Sequence, residues 1–263
     1  MSKAEANVPV PARGHIHPIS SLIREANRIF FDMGFTLVEG PLLESEWYNF
    51  DALNVPKDHP SRDMQDTFFI KDEPGYVLRT HTSPVQIRYM EAQMKKGVNP
   101  PYRVIVPGKV FRNEATDTTH EAEFFQIEGL VIGEDVTLAH LKGTLARFLK
   151  EVFSAGGGSS SGGKNTSVEI RFRPSFFPFT EPSVEVDMRL VGDNAPEKLR
   201  DKWIEMMGAG MVHPNVLKNA GVDSEKYRGF AFGMGLDRLA LLRWGIDDIR
   251  LMHSADLRFI NQF

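Results

Sequence analysis

Residues 103–133 read RVIVPGKVFRNEATDTTHEAEFFQIEGLVIG. RVIV (103–106), KVFRNE (109–114) and FFQIEGLVIG (124–133) are rich in β-branched and aromatic residues, and the last two flank the polar stretch ATDTTHEAE (115–123). This pattern predicts extended segments, the longest pair being antiparallel strands joined by a long loop. Outward from them, VLRT (77–80), VEIRFR (168–173), SVEVDMRL (183–190), WIEMMGAGMV (203–212) and GFAFG (229–233) read as further strands. Toward the N-terminus, Phe35–Val38 reads as a strand stopped by Gly40-Pro41, and residues 51–66, with prolines at 56 and 60, read as an irregular loop. Four segments have helical periodicity. Residues 19–33 place Leu22, Ile23, Ala26, Ile29, Phe30 and Met33 on one face before Gly34. Ser83 suits an N-cap with Pro84 at the first helical position, and that helix stops at Gly97. Residues 138–153 are amphipathic, and LDRLALLRWG follows Gly235. Strands that succeed one another without regular crossover helices predict an α+β fold, mainly an antiparallel β-sheet flanked by α-helices.

Composition narrows the chemistry. The 263 residues (29.7 kDa) carry 31 Lys plus Arg against 35 Asp plus Glu, a net charge of −4. That balance argues against a chain that grips nucleic acid by bulk positive charge. Absence of cysteine removes disulfides, thiolate zinc sites and thiol nucleophiles together. No stretch is long and apolar enough to span a membrane, and Met1–Gly14 lacks the apolar core of a signal peptide, so a cytoplasmic protein is expected. Residues 1–14 read as a flexible tail and GGGSSSGG (156–163) as a flexible linker. Gly158, Gly163 and Lys164 mimic a phosphate loop, but a helix precedes them and a strand follows, the reverse of a working one. Gly233-x-Gly235 likewise lacks the third glycine and the βαβ setting of a dinucleotide site. His15 and His17, two residues apart with no third ligand, make a poor metal motif.

Three signatures stand in order along the chain. The first is Gly34-Phe35 with Glu39-Gly40-Pro41. The second is Phe111-Arg112-Asn113-Glu114, a loop with His120, then Phe124-Phe125-Gln126-Ile127-Glu128-Gly129. The third is Gly233-Met234-Gly235-Leu236-Asp237-Arg238-Leu239. In this order they resemble motifs 1, 2 and 3 of the class II aminoacyl-tRNA synthetases. Four further strings, Asn49-Phe50-Asp51-Ala52-Leu53, Arg79-Thr80-His81-Thr82-Ser83, Phe177-Pro178-Phe179-Thr180-Glu181-Pro182 and Gly210-Met211-Val212-His213-Pro214-Asn215, narrow the resemblance. They are similar to the catalytic domain of phenylalanyl-tRNA synthetase α subunits, over about His15 to Phe263.

The resemblance implies a class II synthetase catalytic domain over 15–263 that activates phenylalanine with ATP and transfers it to tRNA(Phe). The activation step suits the residues at hand. A carboxylate attacks the α-phosphate in line and pyrophosphate leaves, so the work is positioning and charge neutralisation, for which arginines are apt. By resemblance Arg112 holds the α-phosphate and Arg238 the γ-phosphate, with His120 closing over the outer phosphates as the third catalytic residue. Glu114 would accept from the adenine amino group, Phe124 would stack on adenine, and Glu205 counts among the ATP-binding residues. Gln126 and Glu128 alternate with Phe125 and Ile127, so they share a strand face. There they suit an α-ammonium group, although a solvent-facing edge would show the same pattern. His81 and Ser83 are placed near the amino group, although capping alone explains Ser83. Phe177 and Phe179 would share one strand face, more often a core pattern than a pocket. The resemblance puts them around the phenylalanine side chain with Thr180 nearby and Ala231 at the floor. Glu181 resembles a Mg²⁺ ligand shared with a partner subunit.

The family works as an (αβ)₂ assembly, so a β subunit is the expected partner, with self-association through motif 1 as another route. The usual α chain begins with a helical-hairpin arm on tRNA, whereas here a 14-residue tail precedes the catalytic domain, so weak tRNA binding by this chain alone is expected. Two other readings stand beside the main one. They are a paralogue that adenylates an amino acid for another acceptor, and a catalytically idle assembly subunit.

Overall fold

A computed structural model of the protein describes residues 14–118, 120–154, 167–192 and 200–263. Residues 1–13 of the tail, the Gly/Ser linker and most of the polar stretch after Leu190 lie outside them. The helices are α1 (Pro18–Phe31), α2 (Glu46–Asn49), α3 (Ser83–Lys95), α4 (Leu138–Ser154), α5 (Pro214–Asn219), α6 (Leu236–Trp244), α7 (Arg250–His253) and α8 (Leu257–Ile260). The strands are β1 (Thr36–Leu37), β2 (Leu43–Ser45), β3 (Tyr76–Leu78), β4 (Tyr102–Phe111), β5 (Glu123–Gly133), β6 (Ser167–Phe177), β7 (Thr180–Val191), β8 (Ile204–Val212) and β9 (Arg228–Gly235).

Among the described residues the main sheet runs β1-β4-β5-β9-β8-β7-β6, and β2 pairs with β3 in a small ribbon. Every neighbouring pair in the main sheet is antiparallel except β1 with β4, where Thr36 faces Val104 in a parallel register. Alternation along the strands gives the sheet two unlike faces. One carries Ile127 and Val131 of β5, Phe230, Phe232 and Met234 of β9, Ala209 of β8, and Val184, Val186 and Met188 of β7, all buried. Helices α1, α4 and α6 cover it. Phe30 of α1 stacks on Phe148 of α4 (4.7 Å between centroids) and on Phe232 of β9 (5.5 Å), locking two helices to the sheet through one ring.

The opposite face presents Gln126 and Glu128 of β5, Ala231 and Gly233 of β9, and Gly208 and Gly210 of β8. At one end α3 and the loop around Phe50–Val55 close over it, packing Ile87, Met90, Leu53 and Val55 against Val104, Leu130 and Ile132. Farther out, β6 and β7 carry Arg171 and Arg173 beside Asp187 on this face. The α+β architecture and the antiparallel pair around residues 115–123 therefore match the reading of the sequence.

Three local expectations do not. Strand β4 runs unbroken through Pro107-Gly108, where two segments were expected. The short β1 pairs only as far as Ile105, so Pro107 lies beyond it with no β1 partner asking for an N–H. Ser83 is the first residue of α3 and Thr82 holds the cap position, because the Ser83 hydroxyl is turned into the sheet. Phe177 ends β6 and Phe179 lies in the turn to β7, so they do not share a strand face. No helix among the described residues is long and apolar enough to cross a membrane.

Candidate active site

Between the glycine-bearing sheet face and the roof of α3 and loop 51–66 lies a cavity of about 530 Å³. Its floor is flat because two paired glycines make it so. A Cβ on Gly208 would come within 2.7 Å of the Phe177 ring, and one on Gly233 within 2.9 Å of Glu128 Cγ. The cavity brings together ten of the candidates, Arg112, Glu114, His81, Ser83, Gln126, Glu128, Phe177, Phe179, Thr180 and Ala231.

One end is apolar. The Phe177 and Phe179 rings lie parallel, 5.8 Å apart, with Leu130, Val212 and Ala231 adjoining. Their pairing is built by the turn. Asn54, in a left-handed conformation (φ 60°), donates to the Pro178 carbonyl at 2.7 Å and accepts from Asn215 at 3.0 Å. Gly210 leaves room for Thr180, whose Cβ would lie 2.6 Å from a Cβ there.

The other end is polar and buried. Glu128 accepts from the Thr82 N–H (2.9 Å), the Ser83 hydroxyl (2.5 Å) and the Gln86 amide (3.1 Å). Burial pushes its carboxyl up, and the Ser83 and Thr82 hydrogen bonds and the Arg112 charge pull against that. Beside it, Gln126 Oε1 is buried with no hydrogen-bond partner among the described residues, as is His81 Nδ1. Burial first, and the Arg112 charge second, lower the His81 pKa to about 3, so the ring is neutral at working pH. An unmatched buried acceptor such as Gln126 Oε1 is costly without a partner, and a ligand that carries N–H donors would satisfy it.

The strings that flank the site explain its rigidity. Asn49, fully buried, accepts from Thr80 N–H (3.2 Å) and donates to Thr80 Oγ1 (3.0 Å), which fixes the strand leading to His81 and Ser83. Arg79, 3% exposed, donates to the carbonyls of Lys109 (2.8 Å), Gly40 (3.2 Å) and Pro41 (3.3 Å), tying the first signature to the end of β4 that leads into the second. Arg112 is half-buried, donates to the Thr80 carbonyl at 3.3 Å and lies over the Phe124 ring.

Five candidates stand outside the cavity lining. Phe124 lies under Arg112. Arg238 is exposed on the first turn of α6, while its neighbour Asp237 is buried. His120 is exposed in the loop, 3.0 Å from Asp117. Glu205 is half-exposed on β8, 3.5 Å from Arg173, which is itself held by buried Asp187 at 2.6 Å. The Glu181 carboxylate is exposed, 3.4 Å from His213 Nε2. Sequence reasoning missed Thr80, Gln86 and Asn54. Gln86 was within reach, since it follows Ser83 by three residues on the same helical face. Asn54 had no local signal, because its partners at 178 and 215 are remote in sequence.

The family model of class II tRNA synthetase core domains (F) matches residues 3–263. An alpha subunit of phenylalanine–tRNA ligase from Anoxybacillus flavithermus is 52% identical over 254 residues, covering 95% of this chain and 69% of the relative. Alpha subunits of the same name from Geobacillus thermodenitrificans and Syntrophomonas wolfei are 50% and 51% identical, covering 99% and 95% of this chain and 73% and 70% of the relatives. With the cavity, the three signatures in their places and these matches together, the chain belongs to the class II tRNA synthetase family, among the phenylalanine–tRNA ligase alpha subunits.

Proposed function

We propose that this cavity activates phenylalanine as its adenylate, as the catalytic chain of a phenylalanine–tRNA ligase. The observation that carries the reading is the division of one cavity into a parallel aromatic pair and a buried carboxylate beside an unmatched acceptor, Gln126 Oε1. A free aromatic amino acid is complementary to that division. The benzyl group faces Phe177, Phe179 and Ala231. The α-ammonium donates to Gln126 Oε1 and toward Glu128, and neutral His81 adds no repelling charge.

This orientation leaves the substrate carboxylate on the side of Arg112 and Glu114. A carboxylate is already ionised at neutral pH, so attack on the α-phosphate of ATP needs no protein base. A carboxylate oxygen bonds to phosphorus, the α–β phosphoanhydride bond breaks, and pyrophosphate leaves with its electron pair. Arg112 meets the charge that gathers on the α-phosphate, and Arg238 and His120 meet the outer phosphates. Glu114 accepts from the adenine amino group and Phe124 presents its ring to the base, with Glu205 on the same sheet face. Magnesium ion comes with the nucleotide and neutralises phosphate charge. Among the described residues no group of three or more acidic or histidine side chains is arranged as a metal site. The exposed carboxylate of Glu181 suits a cation that keeps mostly water and phosphate ligands.

Transfer to the terminal hydroxyl of tRNA(Phe) then needs a grip that a chain of net charge −4 supplies weakly, and we assign it to the (αβ)₂ assembly with a β subunit. Arg112 and Glu114 both line the cavity, which an idle assembly subunit would not require. Phenylalanine-dependent exchange of pyrophosphate into ATP tests the reading. Exchange that requires phenylalanine is expected. None, with the chain alone or beside a β subunit, overturns it.

A further inference from the structure

Helix α7 lies outside the cavity, yet it is tied to three separate parts of the molecule. The Asp237 carboxylate is 1% exposed, with both oxygens engaged. Its Oδ2 accepts from the Phe125 N–H at 2.6 Å, and its Oδ1 meets His253 Nε2 at 2.7 Å. Just ahead of α7, the Ile249 N–H donates to the Thr118 carbonyl at 3.0 Å, inside the loop that carries His120. From the other side, His17 Nε2 donates to the Met252 carbonyl at 2.9 Å. Asp237 immediately precedes Arg238, and Phe125 sits between Phe124 and Gln126.

We propose that His253 is a positioning residue for ATP, holding Asp237 so that Arg238 and Phe124 keep one fixed spacing. Without the imidazole, one oxygen of a buried carboxylate loses its donor. The carboxylate then turns toward water, and its grip on Phe125 N–H loosens. Arg238 and Phe124 are carried by the two elements that this bond joins, so nucleotide placement loosens with it. The pocket for the phenylalanine side chain is built by Asn54, Gly208 and Gly210 and shares none of these bonds, and Gln126 is held between β4 and β9 by its pairing with Gly108 and Gly235.

This inference rests on the proposed adenylation, and the test separates the two. Phenylalanine-dependent pyrophosphate exchange is measured for the wild-type chain and for His253→Gln and His253→Asn, with melting temperatures alongside. The glutamine amide can reach where Nε2 lies, and the shorter asparagine cannot. His253→Asn is expected to raise KM for ATP about tenfold, the size of one lost charge-assisted hydrogen bond, with KM for phenylalanine within about twofold. His253→Gln is expected to restore KM for ATP to within about threefold of wild type. Equal ATP constants in the two variants, or parallel losses for ATP and phenylalanine, overturn the proposal while leaving adenylation standing. Absence of exchange in the wild type overturns the adenylation reading and this inference with it.

Discussion

Glu128 is a carboxylate with three donors already in place, and its burial still raises its pKa. Such a group gains most from a further positive charge, which the substrate ammonium provides. Arg112 serves the opposite charge. Replacing it with alanine should lose roughly 3–4 kcal/mol of transition-state stabilisation, about two to three orders of magnitude in exchange rate. A variant within twofold of wild type would remove Arg112 from the phosphate role. His253 makes a testable statement about pH. Its bond to Asp237 is the first cause raising its pKa above the ordinary value, with Glu121 and Glu123 contributing after it. A base with a raised folded pKa stabilises fully below its unfolded value of about 6.5 and less as pH climbs through the folded value. The melting-temperature advantage of the wild type over His253→Gln should therefore shrink as pH rises above about 6.5. A constant difference would contradict the ion pair.

At the scale of elements, the site depends on what the sheet leaves out. The β8 and β9 glycines let Phe177 and Glu128 approach the backbone, and no other residue permits this. Gly208→Ala should push Phe177 aside and raise KM for phenylalanine about tenfold, with KM for ATP nearly unchanged. An unchanged phenylalanine constant would place the substrate ring elsewhere. The elements themselves were largely legible, because amphipathic periods and alternating runs report local burial. Pairing was not. Strand β9 lies beside β5 although about a hundred residues separate them, and β1 joins the sheet in parallel, which no local pattern encodes. The Phe177 and Phe179 rings ended side by side for a reason different from the expected one, a turn fastened by Asn54. The cap reading of Ser83 rests on its neighbours in sequence, whereas its hydroxyl bonds Glu128, 45 residues away, which no local pattern encodes.

For the molecule as a whole, the fold brings parts of the second and third signatures and of the strings around His81 and Phe177 onto one cavity. Ten of the residues that line the cavity are readable from the strings, while Thr80 and Gln86 beside them, and the supports Asn49, Arg79, Asp237 and His253, show their roles only in three dimensions. The aromatic end has consequences for selectivity. An apolar pocket rejects an added hydroxyl by only about a hundredfold, so tyrosine should support slow exchange while small aliphatic amino acids should not. Equal rates with leucine and phenylalanine would deny the pocket its specificity. The orientation of the amino acid across the divided cavity is measured directly by a crystal of the protein soaked with phenylalanine and ATP. The expected result is the ring against Phe177 and Phe179, the ammonium about 3 Å from Gln126 Oε1 and Glu128, and the α-phosphate beside Arg112. A substrate carboxylate lying against Glu128, or an amino acid ordered outside this cavity, would contradict it.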